Sequence, residues 1–388
     1  MGDGMAESIE KSAEKDTSFS KGLDGVVAAQ TKLSLVDGQA GRLFYEGIEI
    51  TDLAQYSNFP ETCYLLLYGE LPKQPALKQF SEEIVGFREI SPEAQRILQA
   101  LPRTIHPMAM LRTMVSALSF GDPKPDEISR EALIQKSIRM IAKMPTVTAY
   151  FERLRNGKSV IPPQKGLSHA ANFLYMLSGK EPAVEHAKAL DAYLVLLADH
   201  GLNASTFAAR VTVATLSDYY SGITSAIGTL KGDLHGSANQ RAMEMFLEIG
   251  DLSNVDSYVK GLLQNHKKVM GFGHRIYKTE DPRATVFREI AKNICRNTPS
   301  QKWYEISEKI AEIVMREKKI YCNVDFYSAS VLYTIGIPVD LFTPIFAMSR
   351  VAGWSAHIIE QLADNRLIRP QAEYVGPRNQ SYIPLSQR

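Results

Sequence analysis

The periodicity of the apolar residues limits this chain more than any other feature. Leu190, Tyr193, Leu194 and Leu197 share one face at helical spacing, and so do Ile306, Ile310, Ile313 and Val314. Ser91-Pro92-Glu93 reads as a capped helix start with proline in the first turn, and Pro102 as the stop of that helix. Strand signal is nearly confined to one place. Lys32-Leu33-Ser34-Leu35 alternates, Asp37-Gly38 offers a turn and Leu43-Phe44-Tyr45 follows, which predicts a short N-terminal β-hairpin. Strands do not alternate with helices, which counts against a doubly wound α/β fold, and no internal repeat marks a solenoid. A mainly α fold is expected.

A chain of 388 residues, 45% of them hydrophobic, is too long for one compact unit and predicts two domains. Glycine-marked breaks fall at Gly232 and Gly236, at Gly271 and Gly273, and at Gly336-Ile337-Pro338. The division expected is a mobile N-terminal tail over 1–20 and a large helical domain over 21–225. A small helical domain over 226–335 follows, and 336–388 returns to the large domain and ends in an arm.

The formal charge is +1 with no long run of one sign, so no nucleic-acid or membrane partner is expected. Three cysteines, Cys63, Cys295 and Cys322, lack CxxC spacing and argue for a reducing compartment. An apolar run such as Tyr193 to Ala198 is far too short to cross a bilayer. Asp3, Glu7, Glu10, Glu14 and Asp16 make the N-terminus unlike a signal or transit peptide, so the expected location is cytoplasmic. No histidine pair has HExxH spacing, and no metal is assigned. Gly157-Lys158-Ser159 fails as a P-loop because Glu152 stands where the first glycine belongs.

Three clusters place titratable residues inside apolar, glycine-marked stretches. Lys231 to Asn239 puts His235 just before a helix N-terminus, where the dipole disfavours imidazolium. A neutral ring there can donate a hydrogen bond to a carbonyl becoming an enolate, or simply be satisfied by loop backbone. Gly271-Phe272-Gly273-His274 through Lys278 and Asp281-Pro282-Arg283 strings a proton donor and two cations along one segment. That pattern suits an anionic substrate, since Arg283 can grip a carboxylate bidentately. In Asn323-Val324-Asp325-Phe326, Asp325 lies between apolar residues and gains basicity on desolvation; it also reads as a helix N-cap. Arg350 and Arg369 are further cations in apolar context.

In this order and spacing the clusters resemble the citrate synthase family. The resemblance runs from Lys21-Gly22-Leu23-Asp24-Gly25-Val26, through Asp199 to Phe207, to Glu373-Tyr374-Val375-Gly376-Pro377. Its most specific piece is Gly-Phe-Gly-His through Asp-Pro-Arg. It implies a two-domain, almost all-α homodimer of the compact bacterial and archaeal type, working in the tricarboxylic acid cycle. It also implies an acyltransferase with acetyl-CoA as co-substrate and no permanently bound cofactor.

By position, His235 matches the donor to the thioester carbonyl, Asp325 the base and His274 the group that polarises the oxaloacetate carbonyl. His200, Arg283, Arg350 and, across the dimer interface, Arg369 match the oxaloacetate-binding set. Lys278 falls where a basic residue meets CoA phosphate, and Gly271, Phe272 and Gly273 match the loop beside the adenine. Two departures stand out. Asp233 replaces a proline and, as an extra carboxylate, favours imidazolium at His235; Gly201 replaces a glutamate. The rival readings are 2-methylcitrate synthase, with propionyl-CoA, and a helical binding protein that has lost turnover.

Overall fold

Asp37 closes the expected hairpin. Its Oδ1 accepts the N–H groups of Gln39 and Ala40 at 3.1 and 2.9 Å, a side-chain-stabilised turn. The turn joins β1 (Ser34–Asp37) to β2 (Arg42–Tyr45), antiparallel, with Ser34 opposite Tyr45 and Asp37 opposite Arg42. A further strand, β3 (Ile48–Glu49), pairs with β2, so the hairpin is the greater part of a three-stranded sheet. Two residues are too few to show alternation, and the sequence offers no sign of β3.

The structure, a computed structural model, describes residues 19–388, so most of the tail expected over 1–20 lies outside the described residues. Sixteen α-helices follow the sheet: α1 (Ile50–Tyr56), α2 (Phe59–Tyr68), α3 (Gln74–Gly86), α4 (Pro92–Ala100), α5 (Pro107–Ala117), α6 (Arg130–Arg155), α7 (His169–Ser178) and α8 (Val184–Leu197) come first. The remainder are α9 (Ala204–Val213), α10 (Tyr219–Leu230), α11 (Ala238–Ile249), α12 (Val255–Gln264), α13 (Pro282–Cys295), α14 (Gln301–Lys318), α15 (Val324–Thr334) and α16 (Phe342–Ala363).

The helical spacings read from the sequence bury as expected. Leu190, Tyr193, Leu194 and Leu197 are the inner face of α8, and Ile306, Ile310, Ile313 and Val314 that of α14. Ser91 caps α4 by accepting from the Ala94 N–H, and Leu101 is extended ahead of Pro102. At the centre, α16 is buried without a break from Phe342 to Ile359 and packs against α2, α6, α8, α9 and α10. A helix buried on every face belongs in the middle of a core.

Helices α11 to α15 pack largely on one another, α11 and α13 against α15 and α12 against α14. The boundary expected between residues 225 and 226 cuts through α10, which continues to Leu230 because its apolar face does. Its nearest break is the turn over residues 231–237.

Residues Thr31–Ile368 form one compact unit. Residues 19–30 and 369–388 form another, whose regular elements are short 3-10 turns at Lys21–Leu23 and Leu385–Gln387. Among the described residues no helix is long and apolar enough to cross a membrane.

Candidate active site

Four turns carry the site. His200 lies between α8 and α9, His235 between α10 and α11, His274 ahead of α13, and Asp325 in the first turn of α15. Arg283 stands in the first turn of α13, and Arg350 projects from the buried run of α16.

The ring of His235 rests against the start of α9. Its Nε2 accepts from the Ser205 backbone N–H at 3.3 Å, and Ser205 Oγ lies 2.8 Å from the same nitrogen. Trp354 of α16, fully buried, donates its indole N–H to that hydroxyl at 3.1 Å. An Nε2 that accepts leaves the proton on Nδ1 of a neutral ring. Burial, with the Arg350 charge, pushes the imidazole down to about 4. The helix whose positive end faces Nε2 is therefore α9, some thirty residues upstream, and not the α11 that directly follows. Asp233 does not counter this: it is largely exposed and ion-paired to Arg241 of α11 at 2.9 Å.

His274 takes the opposite tautomer. Its Nδ1 accepts from the Ile276 and Tyr277 N–H groups, both at 3.1 Å, so the proton sits on Nε2. Burial, then the Arg283 charge, lowers it to about 4. The His200 and His274 rings meet edge-on with centroids 5.3 Å apart, and His200 Nε2 is 3.3 Å from the Tyr277 hydroxyl. His200 is held far below the usual histidine range by burial and by Arg283, His274 and Arg350.

Asp325 behaves oppositely to an ordinary carboxylate. Burial pushes it up to about 6, against the pull of Arg283 and Arg350. Val324 and Phe326 on either side are buried, and among the described residues no group donates to its carboxylate. The capping role belongs to Asn323, whose side chain accepts from the Asp325 N–H. Asn323 also donates to the Gly273 carbonyl at 2.9 Å, and its own N–H bonds Gly271 O. The Gly271-Phe272-Gly273 loop is thus tied to the segment entering α15. Gly271 has φ +80°, and a Cβ there would come within 2.8 Å of Phe326, so the loop can lie on α15 only as glycine.

The two arginines differ in what they have left to offer. Arg283 already holds a carboxylate: Nε and Nη2 bond Asp281 Oδ1 and Oδ2 at 3.0 and 2.9 Å, with both side chains buried. The two-pronged grip expected for substrate is therefore taken on that edge, and the Nη1 edge remains. Asp281 also caps α13 and accepts the Val324 N–H at 3.2 Å, so one carboxylate links Arg283 to the helix bearing Asp325. Removing one member of such a buried pair costs about 3–5 kcal/mol.

Arg350 donates Nε to Leu197 O at 2.7 Å and lies over the Phe346 ring; its Nη atoms have no hydrogen-bond partner among the described residues. Burial lowers its pKa, and Asp199, the charge that most offsets this, forms no ion pair with it. A buried guanidinium with such N–H groups can bind an anion.

A cavity of roughly 280 Å³ opens beside His274, lined also by Tyr277, Lys278, Asp281, Lys319 and Cys322. Lys278 is exposed there. Arg369 is exposed in the separate unit over 369–388, in non-helical chain ahead of Pro370 as its sequence predicts. Sequence reasoning missed Asp281, Tyr277, Ser205 and Trp354. Of these only Asp281 left a local trace, the Asp-Pro pair of a helix start.

Neutral histidines with opposite free N–H groups, buried arginines and one basic carboxylate suit acid–base chemistry on an anionic carbonyl compound. The chain belongs to the citrate synthase family: residues 22–371 match the family described as citrate synthase, C-terminal domain. It is 47% identical to a citrate synthase of Haloferax volcanii, over 95% of this chain and 98% of that one. A 2-methylcitrate synthase of Shewanella oneidensis is 38% identical over 95% and 97% of the two chains. The fold superposes with a TM-score of 0.91 on a Thermoplasma acidophilum citrate synthase solved with carboxymethyl coenzyme A and oxaloacetate. That chain is 37% identical, with 96% of this chain and 100% of that one covered.

Proposed function

We propose that this chain condenses acetyl-CoA with oxaloacetate and water to give citrate and CoA. The observation that carries the reading is Asp325, a carboxylate of raised basicity that no donor among the described residues quenches, among histidines kept neutral. A thioester methyl is a very weak acid, so Asp325 removes its proton only if the enolate oxygen is stabilised as charge develops. His235 Nδ1–H supplies that bond. The enolate carbon then attacks the ketone of oxaloacetate, and His274 Nε2–H protonates the resulting alkoxide. His200, Arg350 and the remaining edge of Arg283 hold the dicarboxylate with its carbonyl facing the nucleophile. Water then cleaves the citryl thioester.

Lys278, and Lys319 across the cavity, suit CoA phosphates, with the 271–273 loop beside the adenine. We further take helices α11 to α15 as the small domain that closes over both substrates to exclude water, in a cytoplasmic homodimer. Propionyl-CoA is the second reading, and the higher identity to the citrate-forming relative favours acetyl-CoA. Thiol release from each acyl-CoA, with and without oxaloacetate, tests both. We expect oxaloacetate-dependent release with kcat/KM at least about tenfold higher for acetyl-CoA, the worth of one methylene in an apolar pocket. A reversed ratio would assign propionyl-CoA, and no release with either would end the proposal.

In the dimer, Arg369 serves the partner's site, since an arm can cross a two-fold interface and be answered symmetrically. Inactive Arg369→Ala and Asp325→Asn chains should then complement when refolded together. One site of the mixed dimer combines intact Asp325 with intact Arg369, and about half the wild-type activity per mixed dimer returns. If Arg369 served its own subunit, confirmed mixed dimers would stay inactive.

A further inference from the structure

We propose that the β1–β2 hairpin is a clamp that sets the His200 turn against the His274 turn, with Ser34 as its positioning residue. The proposal rests on the oxaloacetate reading of those two histidines and goes beyond it. The strands hold the first turn from both sides. Ser34 Oγ of β1 donates to Asp199 Oδ2 at 2.5 Å and accepts the Gly201 N–H at 2.9 Å, bracketing His200. Tyr45 of β2, fully buried, donates its hydroxyl to Asp199 O at 2.8 Å and accepts the Asp199 N–H at 3.1 Å.

The connecting turn holds the second. Gly38 O accepts the Lys278 N–H at 2.9 Å. A Cβ on Gly38 would stand 2.3 Å from Ile276 O, and one on Gly41 2.9 Å from Glu280 O, so the turn lies flat against residues 276–280. That segment begins with Ile276 and Tyr277, whose N–H groups fix His274 Nδ1. A hairpin this short is marginal alone, and its docking bonds end on the two turns whose histidines meet at 5.3 Å. None of its residues is assigned a substrate contact. Its effect on the reaction is therefore exerted through His200 and His274.

Ser34→Ala and Gly38→Ala break one dock each. Glu49→Gln is the control, because it opens only the exposed Arg42–Glu49 pair of the same sheet. We expect Ser34→Ala to raise KM for oxaloacetate about tenfold with kcat changed less than about threefold, as for lost binding geometry. Ser34→Thr, which keeps the oxygen, should restore it. Amide exchange at Lys278 should quicken in Ser34→Ala, although Ser34 does not bond that residue.

A Ser34→Ala protein that loses thermal stability but keeps its oxaloacetate KM and its Lys278 protection would overturn the clamp. Were the wild type itself inactive, the reaction reading would fall, while Lys278 exchange would still decide whether the hairpin couples the turns.

Discussion

Asp325→Asn is expected to lower kcat by at least about a hundredfold, the scale of general-base catalysis, with oxaloacetate binding almost unchanged. The substitution is nearly isosteric and leaves the cap of α15 in place, because Asn323 provides it. No hydrogen bond is lost with the carboxylate, since none is made to it among the described residues. The same group sets the pH dependence. As a base Asp325 must be ionised, so wild-type kcat/KM should fall as pH drops through about 6, where burial has pushed its carboxyl. His235 and His274, lowered to about 4, stay neutral through that limb and add their loss only further down. Steady-state kinetics across pH checks both statements. Near-normal turnover in folded Asp325→Asn, or an acid limb centred well away from 6, would remove Asp325 as the base.

His235→Ala should be of similar severity, about a hundredfold to a thousandfold in kcat, as for loss of one preorganised donor to a developing oxyanion. His235 and His274 should fail differently. His274 shares its turn with Tyr277 and the Arg283 segment, so replacing it is expected to weaken oxaloacetate binding as well as turnover. Replacing His235, which rests on Ser205 and through its hydroxyl on Trp354, should leave oxaloacetate binding intact. Titration of each variant with oxaloacetate separates the two. Equal loss of oxaloacetate affinity in both would contradict the assignment.

The elements legible in the sequence are those whose cause is local. The apolar faces of α8 and α14 repeat every three or four residues, and a buried face of that kind can be read from one strand of text. So can the Ser91-Pro92 start of α4, because cap and proline act within a single turn. What fixes the chemistry is not local. The nitrogen of His235 that bears its proton is decided by an N–H thirty positions away, and that of His274 by two N–H groups folded back upon it.

Asp325 and Asn323 are both good caps two residues apart, and only the backbone path into α15 selects Asn323. The grip of Asp281 on Arg283 is adjacent in sequence, yet its bond to Val324 spans forty-three residues and carries no periodic signature. The docking of the hairpin on the two histidine turns is of the same long-range kind. The resemblance to the family proposes which groups react, and the fold supplies the hydrogen bonds that set the protonation of His235 and His274.

Hydrogen exchange at the methyl group of acetyl-CoA, with a non-condensing oxaloacetate analogue bound, isolates enolisation from every later step. Deuterium from solvent should enter the methyl group in the wild type, and in His274 variants once the analogue saturates. It should fall by at least about a hundredfold in Asp325→Asn and in His235→Ala. Exchange at the wild-type rate in either of those two variants would contradict the pairing of Asp325 with His235 on which the account rests.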